Sequence, residues 1–296
     1  MEFNIQVLGK VTPRDADILT PDALAFVADL AREFEPTRRA LIGARATRQE
    51  EIDAGQVPNF LSATADVRSK DWHIASTPKD LLDRRVELTG PSADRRMVIN
   101  ALNSGAQVYM TDFEDAHSPH WSKTLEGQIN VRDAARGSIR FTTPEGREYT
   151  LGEVTATLVV RPRGLHLLER HLLVDGQPIA GSFFDFGISF FHNVHAQLER
   201  GTGPYFYLPK LQSHLEAQTC RLARLRAGAA WLLDHDRRWQ DRSAGAAGDA
   251  LFGRMLHLWA DLDEKLRADY GFKGCVHGAG RRCDDSAPVR CLACAR

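Results

Sequence analysis

The chain has 296 residues, 43% of them hydrophobic and 26% charged, an ordinary globular composition with length enough for a substantial core. A formal net charge of −1 gives no field directed at nucleic acid or an anionic membrane surface, and no stretch reaches the roughly 18 apolar residues of a spanning helix. The start, Met1-Glu2-Phe3-Asn4-Ile5-Gln6, has neither the basic residues nor the apolar run of an export signal, so a cytoplasmic enzyme is expected, without nucleic acid or membrane as partner.

Helical spacing of apolar residues from Pro21 to Leu30, with Thr20 as N-cap and Pro21 in the first turn, predicts a first helix. A second is expected from Thr37 to about Ala54, closed by Gly55, and a third from Arg96 to Leu102, ending near Gly105. The period then shortens. Ala106 to Asp112 reads as a short strand running into an acidic turn. Ser138–Thr143 and Arg147–Leu151, joined by Pro144-Glu145-Gly146, read as a β-hairpin. Thr155–Val160 is β-branched and uncharged, as a buried strand should be. A helix over Phe184–Leu198 and a strand over Tyr205–Pro209 follow, and such alternation predicts a parallel sheet or barrel.

The chemistry gathers at two strand ends. Thr111-Asp112-Phe113-Glu114-Asp115-Ala116-His117 puts three carboxylates within four positions, on the side of a parallel α/β fold where ligands bind. Strand alternation places Asp112 and Glu114 on one side and Asp115 on the other. These acids suit metal binding or proton transfer, or else form a solvated acidic loop. The second strand leaves the core as Val160-Arg161-Pro162-Arg163-Gly164-Leu165-His166. A cation at the end of a buried strand needs a counter-charge, so Arg161 either pairs with the neighbouring acids or also forks onto a small carboxylate ligand. His117, His120, His166 and His192 have spacings that match no standard metal site.

From Cys220 onward the composition changes: no Ile, Thr or Asn, two Val, and twelve Arg against two Lys. Barrel strands cannot be built from such a tail. Trp231–Leu233 and Leu251–Leu266 have helical spacing, whereas Gly274–Arg296 has no periodicity. All five cysteines lie here: Cys220, Cys275, Cys283, Cys291 and Cys294. An odd number without an export signal argues against a disulfide framework. The single Cys291-Leu292-Ala293-Cys294 pair, with Cys275, His277 and Cys283, leaves a small zinc-stabilised nucleic-acid module as an alternative centred on the tail.

Seven runs in order resemble malate synthase, the A-type enzyme of the glyoxylate cycle, over roughly residues 15–216. They are Asp83–Pro91 (DRRVELTGP), Met97–Asn103 (MVINALN), Asp112–Asp115 (DFED), Gly127–Asp133 (GQINVRD), Arg161–Leu167 (RPRGLHL), Gly181–Phe186 (GSFFDF) and Gly203–Lys210 (GPYFYLPK). The resemblance implies an α/β fold, an incomplete TIM-type (β/α)8 barrel preceded by an N-terminal helical segment. Its segments would be 1–80 (N-terminal helical segment), 81–216 (first part of the barrel) and 217–296 (aberrant tail). It implies condensation of acetyl-CoA with glyoxylate to malate and CoA, with Mg²⁺ holding glyoxylate, an aspartate as base and an arginine stabilising the enolate. Arg161 matches the catalytic arginine, and Asp112, Glu114 and Asp115 match acids near that arginine and the metal's water shell. Ala116 stands where some members have serine near the acyl-CoA.

Beyond residue 216 the family pattern calls for an Ile-Glu-Thr strand end and a Gly-Arg-Trp-Asp segment, which supply the direct metal ligands, and for a later Glu-Asp pair with the base; none of these is found in this chain. A reading-frame change near residues 217–220 is the expectation. Leu233-Asp234-His235-Asp236-Arg237 can be spelt by codons whose next frame gives Ser-Thr-Thr-Ile-Ala, similar to a family segment at about that distance. The chain as written is therefore expected to be inactive, with a non-catalytic acyl-CoA-binding fragment as a further alternative.

Overall fold

The computed structural model describes residues 4–57, 59–71, 77–220 and 223. Among the described residues, 4–56 with 77–220 and 223 form one compact unit, and 57 with 59–71 falls in a second. The described part of the second unit holds a 3₁₀ turn, Ser62–Thr64, and a short helix α3 (Ala65–Arg68), whose last residue donates to Leu61 O at 2.8 Å and lies over the Phe60 ring. The expected tail helices and the cysteine cluster around Cys275–Cys294 lie outside the described residues.

In the first unit, strand β1 (Ile5–Val7) is followed by a one-turn helix α1 (Pro13–Ala16) and by α2 (Pro21–Asp53). The two helices expected on either side of Pro36 are one, running 33 residues. Proline's fixed φ is compatible with helix, and what it removes is one N–H. Burial of Val27, Leu30, Ala31 and Phe34 before it, and anchoring of Arg38 and Arg45 after it, hold both halves in line. Thr20 caps the start by accepting from Ala23 N, and Gly55 ends it in the left-handed region at φ +94°.

The central sheet has four parallel strands in the order β2 (Glu87–Pro91), β3 (Val108–Asp112), β6 (Thr157–Arg161) and β9 (Tyr205–Phe206). Helix α4 (Arg95–Leu102) joins β2 to β3. Helix α5 (Trp121–Ala135) and a small hairpin, β4 (Arg140–Thr142) with β5 (Glu148–Thr150), join β3 to β6. Between β6 and β9 come the hairpin β7 (Leu168–Val174) with β8 (Gln177–Ala180) and helix α6 (Gly181–Glu199). Strand β1 extends that hairpin by pairing antiparallel with β7.

Period-2 alternation divides the strand residues into two cores. Tyr109, Phe113, Leu158 and Val160 pack against α4 and α5 through Val98, Ile99, Leu102 and Val131. Val108, Met110 and Val159 face the opposite side with Leu81, Tyr205 and Tyr207. Helix α6 packs against α2 through Phe183, Phe186 and Phe190 facing Leu30 and Phe34. Parallel strands alternating with helical connections are the half-finished form of an eight-stranded barrel: among the described residues the sheet has four strands and does not close.

Candidate functional site

The in-register pairing aligns Pro91, Asp112 and Arg161 in one row at the C-terminal ends of β2, β3 and β6. Asp112 is fully buried. Its Oδ1 accepts from Arg161 Nε at 2.7 Å and from Glu114 N at 2.7 Å, and its Oδ2 from Arg161 Nη2 at 2.5 Å and Ala116 N at 2.7 Å. Both carboxylate oxygens are thus committed, two bonds each. The fork fixes the guanidinium plane, and the two backbone bonds fix the carboxylate that grips it.

Alternation does not continue past Asp112, because the strand ends there and the chain turns. Asp115, not Glu114, shares Arg161, accepting from Nη2 at 3.1 Å, and it also takes Lys210 Nζ at 2.7 Å. The hydrogen bond from Lys210, with the charge of Arg161, holds the Asp115 carboxyl below its ordinary range. Glu114 turns toward the next loop, where Oε2 accepts from Gly164 N at 2.5 Å, and burial pushes its carboxyl up. Gly164 permits this approach: a Cβ there would stand 2.7 Å from the His166 ring and 3.3 Å from Glu114 Oε1.

Burial works against the charge on Arg161, but Asp112 and Asp115 outweigh it and hold the guanidinium above its ordinary range. Its side chain is 13% exposed, and Nη1 has no acceptor among the described residues. The Nη1 edge of a clamped cation, whose Cζ lies 5.9 Å from the centre of the Tyr207 ring, is therefore available to an anionic or partly anionic oxygen. Lys210, at φ +57° directly after Pro209, is held through its carbonyl, which accepts from Arg45 Nη2 at 2.9 Å.

Two positions further on, Arg163 is buried, with Asp185 and Glu169 around it. Asp185 Oδ2 accepts from the Arg163 backbone N at 2.9 Å and from Nε at 2.8 Å, Oδ1 from Nη2 at 2.8 Å, and Glu169 Oε2 from Nη1 at 2.9 Å. The other oxygen of Glu169 takes His171 N and Nδ1. Sequence reasoning passed over this network. The signal was a lone carboxylate, Asp185, inside the apolar run Gly181-Ser182-Phe183-Phe184-Asp185-Phe186-Gly187-Ile188, which must find a cation.

The four histidines are dispersed. His117 is buried between Ser92 Oγ at 3.1 Å and Thr124 Oγ1 at 3.4 Å, His192 Nε2 meets Ile18 O at 2.8 Å, His166 lies beside Gly164, and His120 is exposed ahead of α5. Among the described residues no group of three or more His, Cys, Asp or Glu side chains could hold a metal ion. The Mg²⁺ implied by the resemblance does not fit the strand-end acids as its direct ligands: Asp112 has no oxygen lone pair left over from its four donors, and Asp115 is shared between Arg161 and Lys210. A cleft of ≈ 540 Å³ opens beside the same sheet end, with Pro91, Ala116, Arg96 and Lys123 on its walls. No helix among the described residues is long and apolar enough to cross a membrane.

Residues 4–66 match the family described as malate synthase, N-terminal domain, and residues 157–223 the family described as malate synthase, TIM barrel domain. Malate synthase of Myxococcus xanthus (strain DK1622) is 58% identical over 214 residues, covering 72% of this chain and 39% of that protein. Malate synthase A of Escherichia coli (strain K12) is 50% identical over 204 residues, 69% of this chain and 38% of the relative. The bifunctional glyoxylate cycle protein of Caenorhabditis elegans is 55% identical over 207 residues, 69% of this chain and 21% of the relative. The chain is similar to a malate synthase fragment, and spans about 39% of the length of the first of these relatives.

Proposed function

We propose that the Arg161 cluster is the enolate-stabilising part of a malate synthase-type site, where the acetyl group of acetyl-CoA condenses with glyoxylate to give malate and CoA. The observation that carries the reading is the clamped cation: Arg161 is gripped by a fully buried Asp112, with Nη1 left over. A thioester methyl is a weak carbon acid, and loss of its proton moves negative charge onto the thioester oxygen. A guanidinium already oriented at the strand end meets that charge without reorganisation, which is where electrostatic catalysis gains most. Asp112 and Asp115 position the guanidinium, and Glu114 fixes the Gly164 loop beside it. The base is not assigned to any described residue.

The test uses two probes on the full 296-residue chain. S-carboxymethyl-CoA carries a carboxylate on the carbon that corresponds to the acetyl methyl, one bond beyond the thioester carbon, so it brings full negative charge to the acyl end, and acetyl-CoA does not. One charge-assisted hydrogen bond to Nη1 is worth about 1.5–3 kcal/mol, so the carboxylate probe should bind roughly 10- to 100-fold more tightly in calorimetry. Arg161→Met should erase the difference. Equal affinity of the two probes for the unaltered chain would overturn the reading. Turnover is a separate matter: with the strand-end acids consumed in ion pairs and no Ile-Glu-Thr or Gly-Arg-Trp-Asp run in the sequence, no CoA release from acetyl-CoA and glyoxylate is expected. Release above the uncatalysed rate in a thiol assay would contradict that part.

A further inference from the structure

The loop that carries Arg161 out of β6 is fastened at three nearby points: Arg161 by Asp112 and Asp115, Arg163 by Asp185 and Glu169, and Gly164 by Glu114. The middle fastening is of a different kind from the others. Asp185 comes from α6, 22 residues further along the chain, and it takes the backbone N–H of Arg163 as well as two of its side-chain nitrogens. A single carboxylate oxygen therefore ties main chain and guanidinium together, so the loop cannot shift without breaking a buried ion pair. Pro162, with its fixed φ, is the one residue between the clamped backbone and Arg161. Glu169, by contrast, touches Arg163 at Nη1 alone and makes no bond to the loop's main chain.

We propose that Asp185 is a positioning residue for the charge-stabilising arginine: by holding the Arg163 main chain from α6, it sets where Arg161 Nη1 points. The proposal rests on the reading of Arg161 given above. Asp185 touches neither substrate nor reacting atoms, and what it determines is selectivity for negative charge at the acyl position. A residue that merely stabilised the fold would leave that selectivity intact in every variant that still folds.

The experiment compares calorimetric affinities for S-carboxymethyl-CoA and acetyl-CoA in the full chain, with far-UV circular dichroism as the check on folding. In Asp185→Asn the preference for the carboxylate probe should fall by about tenfold, with acetyl-CoA affinity changed no more than about twofold. Glu169→Gln, which disturbs the same guanidinium but not the loop's main chain, should keep the full preference. Should Asp185→Asn fail to fold, Arg163→Met with Asp185→Leu and Glu169→Gln removes all three buried charges of the cluster, and it should lose the preference as well. In the unaltered chain, the Arg163 N–H should exchange with solvent at least about 100-fold more slowly than an open amide. Full preference in either folded Asp185 variant, or open-chain exchange at Arg163, would overturn the proposal. Absence of any preference in the unaltered chain would instead remove the reading of Arg161 on which it rests.

Discussion

Asp112→Ala tests whether the strand-end cluster is held by its buried carboxylate. The substitution removes the acceptor of four hydrogen bonds: Arg161 Nε and Nη2, and the N–H groups of Glu114 and Ala116. Removing one partner of a buried ion pair costs about 3–5 kcal/mol, because the other charge stays behind uncompensated. Arg161 keeps Asp115 at 3.1 Å and is 13% exposed, which moves the expectation to the lower end, about 3 kcal/mol. With a urea m-value of about 2–3 kcal/mol/M, the midpoint should fall by roughly 1–1.5 M. Arg161→Met alone should cost less, since Asp112 keeps both backbone donors, and the double variant should fall short of the sum by at least about 1.5 kcal/mol. A loss below about 1 kcal/mol for Asp112→Ala, or strict additivity in the cycle, would refute the argument that the fork is what fixes the arginine.

Two further measurements probe the packing beneath the site. In Gly187→Ala a new Cβ would lie 2.8 Å from Val27 Cγ2 and 3.4 Å from Leu30 Cδ1. Overpacking of about 1–3 kcal/mol then exceeds the helix-propensity gain of about 1 kcal/mol, and thermal unfolding should come earlier; an unchanged or raised midpoint would show that α2 and α6 yield. Burial holds His117 and His192 below the ordinary histidine range, so the unfolded chain takes up their protons first as pH falls. The stability that their neutral burial permits is complete above the unfolded value near 6.5 and is lost as pH drops below it toward the depressed folded values. His117→Gln with His192→Gln should flatten the decline in urea midpoint between about pH 7.5 and 5.5, and an unaltered slope would count against the assignment.

Where the local signal and the tertiary environment agree, the sequence is legible: the Pro144-Glu145-Gly146 hairpin, the β-branched run ending at Arg161 and the apolar helix from Phe184 onward all appear in the structure. Helix α5 escaped because it shows no polar stripe: Leu125, Gly127, Gln128, Ile129, Asn130 and Val131 are all buried, so no single face marks it as amphipathic. Strand β2 ends in Thr89-Gly90-Pro91, turn chemistry that a parallel neighbour overrides. The β7–β8 hairpin carried a usable sign, Asp175-Gly176, with φ of 52° and 77° in the structure, but the charges of Leu168-Glu169-Arg170-His171 obscured the strand before it. At the site, the pairing of Arg161 with Asp112 followed from burial of a cation at a strand end. The exchange of roles between Glu114 and Asp115 did not, because alternation holds only while the strand lasts.

The long helix α2 has a consequence for the order of events in folding. Its charged side chains reach far along the chain: Arg32 to Asp175 at a separation of 143 residues, Arg38 to Leu165 O at 127, and Arg45 to Glu216 at 171. A helix of this length forms in about a microsecond, yet none of these bonds can form until the β7–β8 turn, the loop after β6 and the segment beyond β9 are in place to receive it. An element that is made early in the chain is therefore among the last to reach its final contacts. Until then its apolar face, from Ala23 to Phe34, stays open to solvent and to other chains.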